Sequence, residues 1–538
     1  MQLILSLLNH PAVGAALFLA GVMACGSQCF ADDPFKFVDV ADEWGLAKPL
    51  KGSMAHAVAC GDINGDGTPD LYIGTFCDRQ PEEYIGRGQA VPNLLFLSKD
   101  GKYENTTTQP LAIDLRTSGA VFADFDNDGD LDLFVSINSK KRKKGTLNGH
   151  NRLFENVDGV LKDVSKDNQA CVIMGGRSVG VLDYDGDRLL DILVLEDSWN
   201  GGMTKLFRNR GKLNFEETTA VSGLPMSVAG LAVITADLNL DGWPDIFISK
   251  SNKLFLSTGN GTYTAVDSSA FKHNLVPRSG TFPCGAACGD VDRDGDLDLV
   301  TVDHVAGSGM HLYLNGGIKD GLPQYREVTQ EFGLSYRFPG KTPSGLYLRH
   351  DHVAIEDFDN DGWPDILVAA VWEKSGKPQP FVCRNLGLKG GRILFETPPV
   401  EKVMAHQPAG PVADFDRDGR LDMLLLSWFP TVPTNLFLNR SPQRHWLQVK
   451  VEGKTINRMG IGCKVRIYRA GKLGIKTSLI GYNEILIDQG YCTGSENIVH
   501  FGLGDESVCD LEVILPHGKG RIERKNIKAD QLLTLSEE

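Results

Sequence analysis

The sequence predicts an all-β chain, a seven-bladed β-propeller followed by a small β-rich C-terminal domain. Three observations lead there. A nine-residue acidic loop starts at Asp62, Asp124, Asp183, Asp237, Asp290, Asp357 and Asp414, and successive starts lie 53 to 67 residues apart. That spacing, filled with short strands, marks a propeller blade or a related array. Each loop sits between runs with strand patterning, and the two ends of the array complement one another.

The first 31 residues contain no Lys, Arg, Asp or Glu, and Ala12 to Ala24 is an apolar run. This reads as a secretory signal peptide, residues 1–31, cleaved after Ala31. An uncleaved anchor and lipid attachment at Cys25 are the alternatives, and they alone would bring the protein to a membrane. All three place the mature chain outside the cytoplasm, secreted, periplasmic or at the cell surface. Later stretches fall short of the roughly 18 apolar residues that span a bilayer.

The blades follow, residues 35–440. A small-residue strand such as "SGAVFA" (Ser118 to Ala123) leads into the loop, and an apolar strand such as "LDLFVSI" (Leu131 to Ile137) leaves it. A third strand follows, "NRLFEN" at Asn151, "NKLFLS" at Asn252 or "NLFLN" at Asn435, and then a turn such as Asp158-Gly159 or Asn260-Gly261. The fourth is "LKDVS" at Leu161 or "YREVT" at Tyr325. Alternation with these turn dipeptides gives four antiparallel strands per unit. The fourth-strand pattern appears first as "FKFVDV" from Phe35, before any loop, whereas the last unit stops at its third strand near Asn439. An N-terminal strand that completes the last blade closes the ring and removes two exposed edges. An open superhelix is the alternative. Residues 443–538 contain no acidic loop, and their short alternating runs between Gly turns read as a separate β domain.

Composition limits the function classes. A chain of 538 residues, 42% hydrophobic and 23% charged, is not disordered. A formal charge of −14 excludes a general nucleic-acid binder, which needs clustered cations. Nine of the eleven cysteines remain after the proposed cleavage. Cys60 and Cys288 are expected to be small buried residues. Cys284 with Cys288, or Cys463 with Cys492, could pair in an oxidising compartment. No CxxC or Cys/His zinc spacing occurs.

Loop positions one, three, five and nine carry Asp or Asn. They are Asp62, Asn64, Asp66 and Asp70; Asp124, Asp126, Asp128 and Asp132; Asp183, Asp185, Asp187 and Asp191; Asp237, Asn239, Asp241 and Asp245; Asp290, Asp292, Asp294 and Asp298; Asp357, Asp359, Asp361 and Asp365; and Asp414, Asp416, Asp418 and Asp422. A hard divalent cation takes six to eight oxygens, which alternating carboxylates plus one carbonyl, that of Asp130 in the second loop, can supply. Residue nine begins a strand, so these are β-hairpin calcium sites rather than EF-hands. Position six is Gly except for Arg188, whose long side chain at an expected positive φ makes the third site weaker. Seven divalent ions would balance the formal −14, so Ca2+ is the expected cofactor.

The acidic loops and strand order resemble the FG-GAP/VCBS repeats of integrin α-subunit propellers and of many secreted bacterial proteins. The tail is similar to the ASPIC/UnbV domain through "HWLQVKV", "NRMGIGCKVRIY", "HFGLG", "LEVILPHG" and "ADQLLTL". Together they resemble the family of cartilage acidic protein and its bacterial relatives, with Cys463 and Cys492 departing locally from the expected small and apolar residues. The resemblance covers nearly all of the mature chain.

Antiparallel order puts second-to-third loops and first-strand lead-ins on the face opposite the calcium loops. That face collects "DRQPEEYIGRGQAVP" (Asp78 to Pro92), "KKRKK" (Lys140 to Lys144), and His56, Arg116, Arg177, His350, Asp351, His352 and His406. A ring of His and Arg at a propeller mouth could receive an acidic glycan, a carboxylate or a second metal, more strongly as the histidines protonate, provided burial does not depress them. Two function classes follow. One is a non-catalytic binding or adhesion module for an extracellular glycan or protein. The other is a calcium-dependent polysaccharide lyase or hydrolase, for which His350, Asp351 and His352 are the concentrated candidates. GxSxG, HExxH and phosphate-loop motifs are absent from the sequence.

Overall fold

A computed structural model describes residues 34–139, 149–198, 201–267, 269–271 and 282–537. The proposed signal segment and the basic run Lys140 to Lys144 lie outside the described residues. Seven antiparallel four-strand units are present among the described residues, six in sequence order and the last completed by the N-terminal strand. The first contains Ala55–Gly61, Asp70–Thr75, Leu94–Lys99 and Lys102–Asn105. The first strands of the next six are Thr117–Ala123, Gly176–Leu182, Val233–Ile234, Pro283–Gly289, Val353–Glu356 and Val412–Ala413. The last is short because Pro408 and Pro411 remove donors from the ladder. Phe37–Asp39 pairs antiparallel with Asn435–Asn439, Phe37 facing Asn439 and Asp39 facing Phe437, as the complementary ends predict.

The first strands are small-residue runs because they are crowded on both faces. Every residue of Ala55–Gly61, Thr117–Ala123 and Pro283–Gly289 is buried. A Cβ on Gly119 would lie 2.3 Å from the carbonyl oxygen of Arg177 in the next sheet, so only glycine fits there. The sixth sheet gains a strand the repeat does not foretell, Val403–His406, which pairs with Asp365–Lys374 and fixes His406 opposite Ala370.

The C-terminal residues form two sheets. Val499–Gly504, His445–Glu452 and Gln531–Ser536 make one; Leu479–Glu484, Lys464–Arg469, Val508–Ile514 and Arg521–Lys528 make the other. The segment between Leu479–Glu484 and Val499–Gly504 leaves these sheets and reaches the first-strand region of all seven units. Asp488 Oδ2 accepts from the Val181 N–H and the Thr235 hydroxyl at 3.2 and 2.6 Å. Gln489 Oε1 accepts from the Cys288 N–H, and Gly490 exchanges two backbone bonds with Ala286. The Tyr491 N–H donates to His352 Nδ1, the Cys492 N–H to the Ser178 hydroxyl, and the Gly410 N–H to the Thr493 hydroxyl. Thr493 and Gly494 pair in parallel with Val58 and Ala59, and Gly494 packs on Ala120 and Val121. Seven strands that all meet one segment surround it. The segment is a plug that satisfies backbone groups the innermost strands would otherwise leave bare.

All nine cysteines among the described residues are free, so neither Cys284–Cys288 nor Cys463–Cys492 is bridged. Cys463 lies in the C-terminal core and Cys492 in the plug, against Ser178. Cys60 and Cys288 are buried as expected.

Deleting Phe35 to Val40 strips the ladder partner from Asn435–Asn439 and is expected to lower the melting temperature and promote self-association. Size-exclusion chromatography and thermal unfolding of the deletion check this; a stable monomer would contradict it.

Candidate metal loops and the plugged mouth

The seven loops share one hydrogen-bond plan. The position-one carboxylate accepts from the backbone N–H of position six in every loop, as at Asp62, Asp124, Asp183 and Asp290. Position five accepts from the N–H of position seven, as Asp128 does from Asp130. The position-nine aspartate is a clasp. One oxygen accepts from the N–H of position two and the other from the third strand, so Asp132 holds Phe125 and Asn156 at 3.1 and 2.9 Å.

The plan turns carboxylates toward one point. Ligand atoms of Asp124, Asp126 and Asp128 lie within 4.8 Å of one another, as do those of Asp183, Asp185 and Asp191, of Asp290, Asp292 and Asp294, and of Asp357, Asp359 and Asp361. In the first and fourth loops Asn64 and Asn239 instead donate to Asp66 and Asp241. Buried oxygens of Asp292, Asp359 and Asp416 have no hydrogen-bond partner, which fits a cation in the centre of the loop. Arginines already lean on three of these centres. Arg208 lies 2.5 Å from Asp185, Arg384 lies 2.6 Å from Asp359 and Arg440 lies 2.7 Å from Asp416.

Crowded acids hold protons when positive charge is scarce. Burial first, and then the neighbouring carboxylates, pushes Asp124 and Asp183 up to about 7. Burial pushes Asp132 up to about 8 and raises Asp290 and Asp357 well above the usual range. Arg188 has φ +77°, in the range of its glycine counterparts Gly67 at +88° and Gly419 at +85°, so the expected strain is present.

The C-terminal sheets sit against these loops. Lys464 Nζ is 2.5 Å from Asp237 Oδ2, Gln448 donates to Asp414, and His517 Nε2 is 3.1 Å from the Asp183 carbonyl oxygen. The fourth loop is thus partly neutralised from within the chain.

The predicted mouth is the main correction. His56, Arg116, Arg177, His350, Asp351, His352 and His406 are all buried rather than lining an open funnel. His56 stacks on Phe76 and contacts Tyr491 of the plug, which also takes Arg177 and His352. Arg116 is paired with Asp78 at 3.0 Å and Arg177 with Asp197 at 2.8 Å, so neither charge is free for an external anion. His350 stacks on Phe338, and Asp351 contacts His304 and His406. Burial is the leading cause that holds His56 well below its ordinary value, His350 down at about 3 and His352 at about 4. Those three do not charge as pH falls through 6.5, so the anion attraction expected of them is lost.

Sequence reasoning also missed a second clasp. The amides of Asn156, Asn209, Asn385 and Asn439, on third strands, donate to the carbonyl oxygens of position two of the preceding sheet's loop: Ile63, Phe125, Val291 and Phe358. The recurring terminal Asn of "NRLFEN" and "NLFLN" was the available signal.

The FG-GAP-like repeat model matches residues 78–135, 183–248 and 357–425, and the ASPIC and UnbV model matches residues 453–538. The chain carries FG-GAP-like repeats and an ASPIC/UnbV region, the pairing by which it resembles cartilage acidic protein. It is 24% identical to cartilage acidic protein 1 of Mus musculus over 512 residues, 88% of this chain and 74% of that one. The Homo sapiens protein of that name is 24% identical over 525 residues, 90% of this chain and 74% of its own. Among solved structures, an Agrocybe aegerita lectin that recognises non-reducing terminal N-acetylglucosamine matches at TM-score 0.39 and 19% identity, covering 63% of this chain and 80% of its own. The exotype rhamnogalacturonan lyase YesX matches at TM-score 0.36 and 13% identity, covering 71% and 72%. The matched stretches contain the acidic loops that start at Asp124, Asp183, Asp237, Asp357 and Asp414.

Two outcomes follow. Arg188→Gly relieves a side chain held at positive φ and should stabilise the protein by about 1 kcal/mol in calcium. In chelator, the raised carboxylates favour the protonated native state, so stability is full near pH 4 and falls as pH rises through 7 to 8. Chemical denaturation of both proteins from pH 4 to 8, with and without calcium, checks this; a cation-free protein that gains stability toward pH 8 would contradict it.

Proposed function

We propose that this protein is a secreted, calcium-stabilised seven-bladed propeller, residues 35–440, whose rim binds a glycan or protein ligand without catalysis. Residues 443–538 are the ASPIC/UnbV domain, seated on the calcium-loop face with its plug in the axis. The observation that carries this reading is the filled axis. With the plug in place and the surrounding charges paired, the accessible part of the opposite face is its rim of loops. The lyase or hydrolase reading rested on His350, Asp351 and His352, and all three are buried.

Calcium, when bound, supplies the positive charge that lets position-one, -three and -five carboxylates ionise together. The protein's own groups do the rest: backbone N–H donors aim each carboxylate, and the position-nine clasp ties loop to sheet. A rigid ring then holds rim side chains in fixed relation, which suits ligand binding. Tyr347 is 49% exposed, with Lys341 Nζ 4.3 Å from its ring centre and Arg349 at 5.9 Å. Trp428 packs edge-on against Phe76, and Arg79 lies 5.3 Å from its ring centre. An aromatic face flanked by cations suits a sugar ring bearing a carboxylate or sulfate.

An array of acidic and neutral oligosaccharides, probed in calcium and after chelation, tests this. Binding of acidic members should require calcium, and Tyr347→Ala should weaken it about tenfold, some 1.4 kcal/mol. Binding that survives chelation, or cleavage of a bound polymer, would overturn it.

A further inference from the structure

Away from the acidic loops, four side chains from four separate segments meet between the fifth and sixth sheets. Cys284 lies in Pro283–Gly289, His304 directly follows Asp298–Asp303, Asp351 precedes Val353–Glu356, and His406 ends Val403–His406. Ligand atoms of Cys284, His304 and Asp351 lie within 4.8 Å of one another. His304 Nδ1 contacts one Asp351 oxygen, and His406 Nε2 lies 3.1 Å from the other. Cys284, Asp351 and His406 are buried, while His304 reaches the surface, stacked on Phe282.

The donor set is one thiol sulfur, two imidazole nitrogens and one carboxylate oxygen. Such a set suits a borderline divalent cation and not calcium, which takes oxygen. Zinc bonds of about 2.0 to 2.3 Å put tetrahedral ligand atoms roughly 3.3 to 3.7 Å apart; Cys284, His304 and Asp351 already lie within 4.8 Å of one another, and His406, 3.1 Å from the second Asp351 oxygen, would complete the set by a side-chain rotation.

The surroundings of His406 point the same way. Its Nδ1 is 3.1 Å from the Tyr347 carbonyl oxygen, which only accepts, so Nδ1 carries the proton. A neutral His406 then turns its Nε2 lone pair toward the Asp351 carboxylate, and a cation between them, or a second proton on the ring, is needed to make that contact favourable. An imidazole that donates its far N–H to a backbone carbonyl is the usual outer support of a metal-bound histidine. On the other side, Arg349 donates to His304 Nε2 at 2.7 Å. Metal binding at Nδ1 moves that ring's proton to Nε2, displaces Arg349 toward the surface, and releases the thiol proton to solvent.

We infer that Cys284, His304, Asp351 and His406 form a zinc-type metal site, closed by four protein ligands, that staples the fifth and sixth sheets on the face opposite the acidic loops. It is independent of the calcium proposal because the ligands are different residues of different chemistry.

The test uses the full mature chain, stripped with chelator and returned to millimolar calcium so that oxygen-only sites are filled. Added Co2+ should bind at one equivalent, with a tetrahedral visible spectrum and a near-ultraviolet thiolate-to-cobalt band, and Zn2+ should displace it. Cys284→Ser should abolish the thiolate band, and His406→Gln should weaken Zn2+ binding about 10- to 100-fold. Zn2+ should raise the melting temperature of the wild type but not of Cys284→Ser. Should Cys284→Ser fail to fold, His304→Gln, altered at the surface side, should weaken Zn2+ binding about 10- to 100-fold and shrink the Zn2+-dependent rise in melting temperature, and an unchanged affinity there overturns the inference. Absence of a cobalt spectrum, a thiolate band that survives Cys284→Ser, or Zn2+ affinity unchanged by His406→Gln means that His406 and Asp351 are only an ion pair and overturns the inference.

Discussion

The position-nine aspartate is the interaction on which the rest of the structure depends. In all seven units one of its oxygens holds the N–H of loop position two. The other holds a backbone N–H of the third strand. A single carboxylate thereby fixes the loop, the second strand and the third strand together. It also brings a buried carboxylate beside two or three further acids, so the clasp that orders each unit creates the local need for a cation.

The C-terminal sheets answer part of that need and impose a second constraint. Lys464 neutralises Asp237, and the segment around Asp488 to Thr493 fills the axis. Because that segment meets every first strand, polar side chains near the axis are used up in holding it. His352 receives the Tyr491 N–H and Arg177 donates to the Tyr491 hydroxyl. A mouth that looks receptive in a bare ring is part of the interior in the whole chain. The ASPIC/UnbV residues are thus as much a part of the core as the strands around them.

Much of the fold was legible because its causes are local. Alternation, turn dipeptides and the acidic period place the strands, and "FKFVDV" ahead of the first loop announces the pairing with Asn435–Asn439. Arg188 could be read as strained because its loop neighbours fix its backbone. What could not be read depends on contacts between distant residues. Asp488 pairs with Thr235 across 253 positions, and its own neighbourhood gives no hint of a plug. Ligand spacing fails for the same reason at Cys284, His304, Asp351 and His406, which share no motif. The Asn clasp of Asn156 and Asn439 is the intermediate case, repeated in sequence but meaningful only once adjacent sheets touch.

The central claim is that cations in the acidic loops hold the ring together. Calorimetric unfolding across a range of free calcium, paired with a direct count of bound ions, tests it most directly. Several ions per chain and a melting temperature that climbs steadily with the logarithm of free calcium are expected. A protein dialysed exhaustively against EDTA that melts at the same temperature as the calcium-loaded one would contradict it.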